Sequence, residues 1–443
     1  MKTHLEDISS VKKKLSVEVE PGDVDKKLDA AYRRLGRQAR IPGFRPGKIP
    51  RKILETRFGE QVMEDVSRDL IGESLPEAIT ELAVFPLGTP LIEKETIKTG
   101  EPFRYSATME VRPRLEVKDY LNVAVEKEKV SVTEADVQKQ LEQIREGNGK
   151  LTAVSGDRAA QTGDYVVLEY RGFVDGEPLE GIHSDNFLLK IGSNDFHPRF
   201  EESLVGLGKG READIHVDFE ENYYHSKLAG KGVDFKVKIH DIKEMVLPDL
   251  DDTFAKNLGA GFNDLSELKE KIRENLTDRE NRRVEKELKQ RLIETVCKEV
   301  ECELPQTLVA SEISYAVENI RQNFIRSGAS LEKMGFSEEK MRDEFRPQAE
   351  KRVKELLVLG EIARAEGLEI NEEDIEEGLK ELSQSTGQDV AILRKYYEAR
   401  DLMGSLKEKL LEEKTLNYLV EHANISEVDK VSDDDRGSEK ENR

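Results

Sequence analysis

The chain predicts a multidomain α+β protein in three successive parts: a small N-terminal α+β domain, an antiparallel β domain with a short helix, and an elongated all-α C-terminal domain. Three observations carry that prediction. Its 443 residues exceed what one hydrophobic core usually organises, so about three domains are expected. Apolar periodicity is mixed before residue 112, two between residues 164 and 240, and helical after Leu247-Pro248. Charged residues reach 37 %, equal to the hydrophobic share and above the usual charged share of about 25 %, which suits long solvated helices.

Element by element, Leu15, Val17 and Val19 alternate as a half-buried strand. Pro21-Gly22-Asp23 then opens a helix whose apolar positions are Val24, Leu28, Leu35 and Ala39. A second helix places Pro50 near its first turn, where a missing N–H costs nothing, and buries Ile53, Leu54, Phe58, Val62, Val66 and Leu70. Alternation at Phe103, Tyr105, Ala107, Met109 and Val111 returns the chain to strand, so residues 1–112 form one domain. Residues 113–150 are a connector packing with the helical body; its helix is capped by Thr133 with Asp136 and carries Val137, Leu141 and Ile144.

Residues 151–245 form the β domain: Val166, Leu168 and Tyr170, a hairpin turn at Asp175-Gly176, the run Phe187 to Gly192, and alternation at Ile215–Phe219 and Val233–Ile239. Residues 246–430 are helical. Asp264 caps a helix running to about Val300, whose apolar residues Leu268, Ile272, Leu276, Val284, Leu288, Leu292 and Val296 recur at multiples of four. Such a stripe drifts around the axis and serves several neighbours. Gly367 ends one later helix, and Asn371 caps the next with Ile370 and Ile375 as a hydrophobic staple. The charged segment 431–443 is expected to be a disordered tail.

Several chemistries find no support. No apolar run approaches the roughly 18–20 residues that span a bilayer, and Met1 to Asp7 leads into no signal-peptide core, so the expected location is the cytoplasm. Cys297 and Cys302 read as reduced structural thiols, and the seven histidines show no ligand spacing, so neither a metal nor a cofactor is expected. Gly206-Leu207-Gly208-Lys209-Gly210 lacks phosphate-loop spacing and reads as a turn before a strand.

One stretch departs from the acidic background. Residues 26–57 hold eleven Lys/Arg against two acids, a local charge of +9 in a chain of −22, leaving −31 elsewhere. Within it, Pro42, Pro46 and Pro50 forbid a continuous helix while Gly43 and Gly47 permit a tight turn, so Phe44, Arg45 and Lys48 sit on a displayed tip. Two readings stay open on the residues alone: a tip docking on phosphate-rich RNA beside protein, or a Phe44 that folds back on its own domain beneath solubilising cations. In the β domain, Tyr170, Leu179, Phe187, Phe196, His197, Phe200, Phe219, Tyr223 and Phe235 would serve equally as a substrate pocket or as an ordinary small β core. The helical stripes are equally compatible with client binding or with plain helix packing.

Residues 43–50 resemble the ribosome-docking signature of the trigger factor family, bacterial ribosome-associated chaperones, through Gly43, Phe44, Arg45, Gly47, Lys48 and Pro50. The order of segments resembles that family across almost the whole chain, and Gly163–Glu244 resembles its FKBP-type peptidyl-prolyl isomerase domain (EC 5.2.1.8), with the nine positions above matching the pocket. The resemblance implies docking on the large ribosomal subunit near the exit tunnel, binding of nascent and unfolded polypeptides, X–Pro isomerisation, and a homodimer off the ribosome. Three departures stand out: Pro46 replaces a lysine, Leu179 stands where Phe is common, and His197-Pro198-Arg199 replaces an Ile-Pro-Gly-like run. They leave open whether isomerase activity is reduced. Two rival expectations are a free-standing prolyl isomerase without ribosome docking and a noncatalytic RNA-binding assembly factor.

Overall fold

The computed structural model describes residues 1–42, 44, 48–221, 223, 225, 227–259, 261–326 and 337–429. The expected tail at 431–443 lies outside them. From the N-terminus run β1 (Lys2–Asp7), β2 (Lys12–Val19), α1 (Pro21–Gln38), α2 (Arg51–Glu81), β3 (Leu91–Lys94) and β4 (Phe103–Glu110). The strands form an antiparallel sheet ordered β1-β2-β4-β3. Period-two alternation puts Leu15, Val17, Phe103, Tyr105 and Ala107 on one buried face, against Val24 and Leu28 of α1 and Leu54, Val62, Val66 and Leu70 of α2. Pro50 is the residue before α2, next to its first turn as expected. Its fixed φ suits an extended cap (φ −61°, ψ 138°) better than a continuation from the preceding loop.

Next come β5 (Ala124–Glu128), α3 (Glu134–Gly147), β6 (Lys150–Ala153), β7 (Tyr165–Val174), β8 (Glu177–Lys190), α4 (Pro198–Leu204), β9 (Glu212–Asp218), β10 (Gly232–Val246) and α5 (Asp252–Asn257). Thr133 and Asp136 form the reciprocal capping box that starts α3. The second sheet is ordered β6-β10-β7-β8 with β9 on β10, all antiparallel. At the β7–β8 turn, Asp175 (φ 53°) and Gly176 (φ 83°) supply the two left-handed residues of a type I′ hairpin.

The chain ends with α6 (Leu265–Lys298), α7 (Gln306–Arg326), α8 (Glu338–Ala365), α9 (Glu372–Thr386), α10 (Val390–Ala399), α11 (Met403–Glu421) and β11 (Asn424–Val428). At 34 residues α6 is about 51 Å long. Its drifting stripe has the expected outcome: Leu268 and Ile272 pack with Val137, Leu141 and Phe254, whereas Leu288, Leu292 and Val296 pack with Val125, Val358, Ile362 and Leu419. Asn371 caps α9 by accepting from the Asp374 N–H at 2.9 Å, with Ile370 and Ile375 in one apolar cluster. Strand β11 lies parallel to β5. The fold separates into two compact units, residues 1–129 with 284–429, and residues 130–283.

Candidate functional site

The aromatic site grows from β7, β10 and α4. Tyr170 on β7 pairs with Val237 of β10, and Gly172, two residues on and facing the same side, pairs with Phe235. A side chain at Gly172 would come within 2.8 Å of Ile182 and 3.4 Å of the Phe235 ring, so glycine leaves room for Ile182 beside that ring. Helix α4 starts at Pro198, and His197 caps it, its Nδ1 accepting from the Arg199 N–H at 3.2 Å. In the neutral ring that bond leaves the proton on Nε2.

Phe200 and Phe235 are fully buried, with rings 5.2 Å apart, and Phe219 is nearly so, 6.2 Å from Phe235. Above that floor stand the half-buried rings of Tyr170, Phe187 and Phe196. Tyr170 lies 5.5 Å from Phe187 and 5.7 Å from Phe196, both edge-to-face, and Phe196 lies 4.5 Å from Phe200. His197 meets Phe219 at 5.2 Å and Tyr223 at 6.4 Å. Leu179 packs, partly buried, against the same apolar cluster. All nine sequence-selected positions therefore converge, three as interior and six partly open to solvent.

Beside Phe219 the surface is charged. Arg199 lies 3.8 Å from Asp218, and His216 bridges Asp234 (2.6 Å) and Asp218 (3.0 Å). Asp234 first, and Asp218 second, hold the His216 imidazole above its usual value.

Sequence reading passed over Glu201. Its side chain is 1 % exposed, and its carboxylate accepts from the backbone N–H groups of Gly192 (2.7 Å), Asn194 (3.1 Å) and Phe196 (3.0 Å). Burying a carboxylate costs several kcal/mol, and hydrogen bonds to a charged group offset about 1.5–3 kcal/mol each. One of two adjacent acids, Glu201 and Glu202, in a short amphipathic helix gives no sequence signal of such a role.

On the N-terminal domain, Gly43, Arg45 and Gly47 lie outside the described residues, as does Pro46. Phe44 is 37 % exposed, its N–H donating to the Ile41 carbonyl at 3.1 Å, and Lys48 is exposed. The surrounding basic face divides in two. Lys26 pairs with Asp23, Lys27 with Glu73, and Arg51 with both Asp29 and Glu55, its guanidinium 5.1 Å over the Tyr32 ring. Arg33, Arg34, Arg37, Arg40, Lys48, Lys52 and Arg57 have no ion pair among the described residues. Arg33, Arg37 and Arg51 border a cleft of about 360 Å³ between α1 and α2, which Asp29 and Tyr32 also line.

In the helical segment, Tyr315 and Ile325 of α7 and Ile392 and Tyr396 of α10 are 65 %, 59 %, 62 % and 46 % exposed. These four side chains are large and apolar, and no periodicity argument singled them out.

Comparison with known proteins agrees with this architecture. Residues 1–144 match the family model described as bacterial trigger factor protein, residues 264–421 that of the bacterial trigger factor C-terminus, and residues 156–240 that of FKBP-type peptidyl-prolyl cis-trans isomerase. The trigger factor of Geotalea daltonii is 36 % identical over 97 % of this chain and 99 % of its own. That of Syntrophotalea carbinolica is 37 % identical over 97 % and 98 %. A solved structure of the trigger factor chaperone, from work on promiscuous substrate recognition in folding and assembly, shares the fold at a TM-score of 0.51 and 23 % identity, covering 95 % of this chain and 99 % of that one. The chain belongs to the trigger factor family, ribosome-associated chaperones with an FKBP-type peptidyl-prolyl isomerase domain.

Proposed function

We propose that X–Pro bonds are isomerised in the aromatic pocket of residues 151–245, while Gly43, Phe44, Arg45, Gly47 and Lys48 dock residues 1–112 on the large ribosomal subunit near the exit tunnel. Residues 246–430, with the connector 113–150, hold unfolded and nascent polypeptide on dispersed apolar side chains. The protein works in the cytoplasm and forms a homodimer off the ribosome.

The observation that carries the isomerase half is the half-open tier of Tyr170, Phe187 and Phe196 above the buried Phe200–Phe235 floor. Rotation about an amide has a barrier of about 18–20 kcal/mol because planarity preserves resonance. A prolyl ring seated among these side chains leaves water. The charge-separated planar amide is then poorly solvated and the twisted form, which carries less charge separation, is penalised less. No nucleophile or titrating base is required. His197 supplies an N–H donor at Nε2 for the substrate carbonyl. Leu179 and Arg199 make the wall less aromatic and more polar, which lowers turnover.

Two measurements test the two halves. A Pro-containing tetrapeptide should isomerise faster in the presence of the protein, and Leu179→Phe should raise the rate; no acceleration removes the enzymatic half. Co-sedimentation with ribosomes should weaken in Phe44→Ala and Arg45→Ala, and unchanged co-sedimentation removes docking through this loop.

A further inference from the structure

Residues 130–283 contain two buried carboxylates, and they are held in different ways. Asp164 sits in the two-pronged grip of Arg158, at 2.5 and 2.9 Å. Glu201 has no cation within ion-pair distance among the described residues; its carboxylate is held by three backbone amides of one short loop, Gly192 to Phe196, between β8 and α4. That loop turns twice through left-handed conformations, at Gly192 (φ 88°) and Asn194 (φ 61°). A side chain at Gly192 would also come within 2.8 Å of Thr162. The bends aim three N–H groups at one point, where an acceptor with two oxygens and no hydrogen fits.

Phe196 ends the loop, and its ring touches four others: Tyr170 (5.7 Å), Phe187 (6.1 Å), Phe200 (4.5 Å) and Phe235 (5.6 Å). The Phe196 N–H is itself one of the three bonds to Glu201, so the carboxylate fixes the backbone from which this ring springs. We propose that Glu201 is a positioning residue of the isomerase pocket, setting the Gly192–Phe196 loop so that Phe196 closes the wall against Tyr170 and Phe187. The proposal rests on the isomerase reading above. A glutamine in its place turns an NH₂ toward at least one backbone donor, and the wall loosens without losing bulk.

The experiment compares Glu201→Gln, Glu201→Asp, Phe196→Leu and the Gln/Leu double variant in the full chain, by tetrapeptide isomerisation and by the backbone amide resonances of Gly192, Asn194 and Phe196. Glu201→Gln should lower kcat/KM by about tenfold, mainly through KM, since it displaces a binding wall and no reacting group. Glu201→Asp, which keeps the charge, should retain more activity than Gln, and serves as the comparison if Gln unfolds the domain. Because Glu201 acts through Phe196, the double variant should lose about tenfold and not about a hundredfold. A Glu201→Gln protein within twofold of the parent, or additive losses in the double variant, overturns the proposal. A parent protein inert on the peptide refutes the isomerase reading itself. The loop claim is decided separately, since amide resonances unmoved by Glu201→Gln overturn it and displaced ones support it.

Discussion

Replacing Arg33 and Arg37 by Gln removes two exposed cations one helical turn apart on α1, neither with an ion pair among the described residues, and both bordering the cleft toward α2. If each lies against one ribosomal RNA phosphate, docking releases two condensed counterions through them. Each such contact contributes about 0.7–0.9 to the slope of log affinity against log salt, so the double variant should be shallower by about 1.4–1.8. Between about 50 and 200 mM salt the parent should therefore lose about tenfold more affinity than the variant. Ribosome co-sedimentation across that range measures both lines. Phe44→Ala, which removes an apolar contact, should displace the line without tilting it. Lys27→Gln should tilt it less, because its ammonium already sits 2.5 Å from Glu73. Arg33→Gln/Arg37→Gln running parallel to the parent would refute phosphate contact by this face.

Phe235→Ala empties the floor of the pocket, and a fully buried Phe truncated to Ala costs about 3–5 kcal/mol. Urea unfolding followed by tyrosine fluorescence, convenient in a chain without tryptophan, should show that loss, and a change under about 1 kcal/mol contradicts the packing described. The Glu366 carboxylate accepts from the hydroxyls of Tyr120 (2.5 Å) and Tyr418 (2.6 Å). The bond to Glu366, then burial, pushes Tyr120 up to about 12, while Tyr120 and then Tyr418 hold Glu366 below its usual range. The raised phenol gives stability present below about pH 10 and lost as pH climbs toward 12; the depressed carboxylate gives stability lost as pH falls below about 4.3. Tyr120→Phe should flatten the alkaline limb of a urea-midpoint profile, and an unaltered limb would count against this linkage. Burial pushes the Cys297 thiol up to about 12 and raises Cys302 as well, so at pH 8 both should react slowly with a thiol reagent in the native protein, Cys302 first, and quickly in urea. Native labelling of Cys297 at the rate of a free thiol would contradict its burial.

Much of this fold was legible because burial imposes a period. Leu15 and Val17, and Val233, Phe235, Val237 and Ile239, alternate in sequence and are buried in the structure. Punctuation was equally readable: Thr133–Asp136, Asn371–Asp374 and Asp175-Gly176 each mark a backbone requirement that few other residues meet. The convergence of Tyr170 and Phe187 follows from the same alternation, since β7 and β8 bring one face together, and Phe219 follows directly on β9, whereas Phe196 reaches them from the loop between β8 and α4. Contacts without a local period stayed hidden. Strand β1 is short and mostly exposed, with little apolar alternation to betray it. Pro76 lies inside α2, where a sequence reader expects a break. Glu201 is silent because an acid that gathers backbone amides looks, in sequence, like one that faces water.

The parallel pairing of β5 with β11 has a temporal meaning. Lys129, one residue beyond β5, meets Asp429 300 positions further along the chain, so β5 cannot find its partner until those residues have been translated. At about 5–20 residues per second, β5 waits about 15–60 s. The isomerase segment, encoded in one uninterrupted stretch within that interval, can fold while the body around β5 is still incomplete. A protein that attends other chains during their synthesis thus closes its own β5–β11 seam only after the long stretch between them has been made, and trimming β11 should leave β5 with an open strand edge.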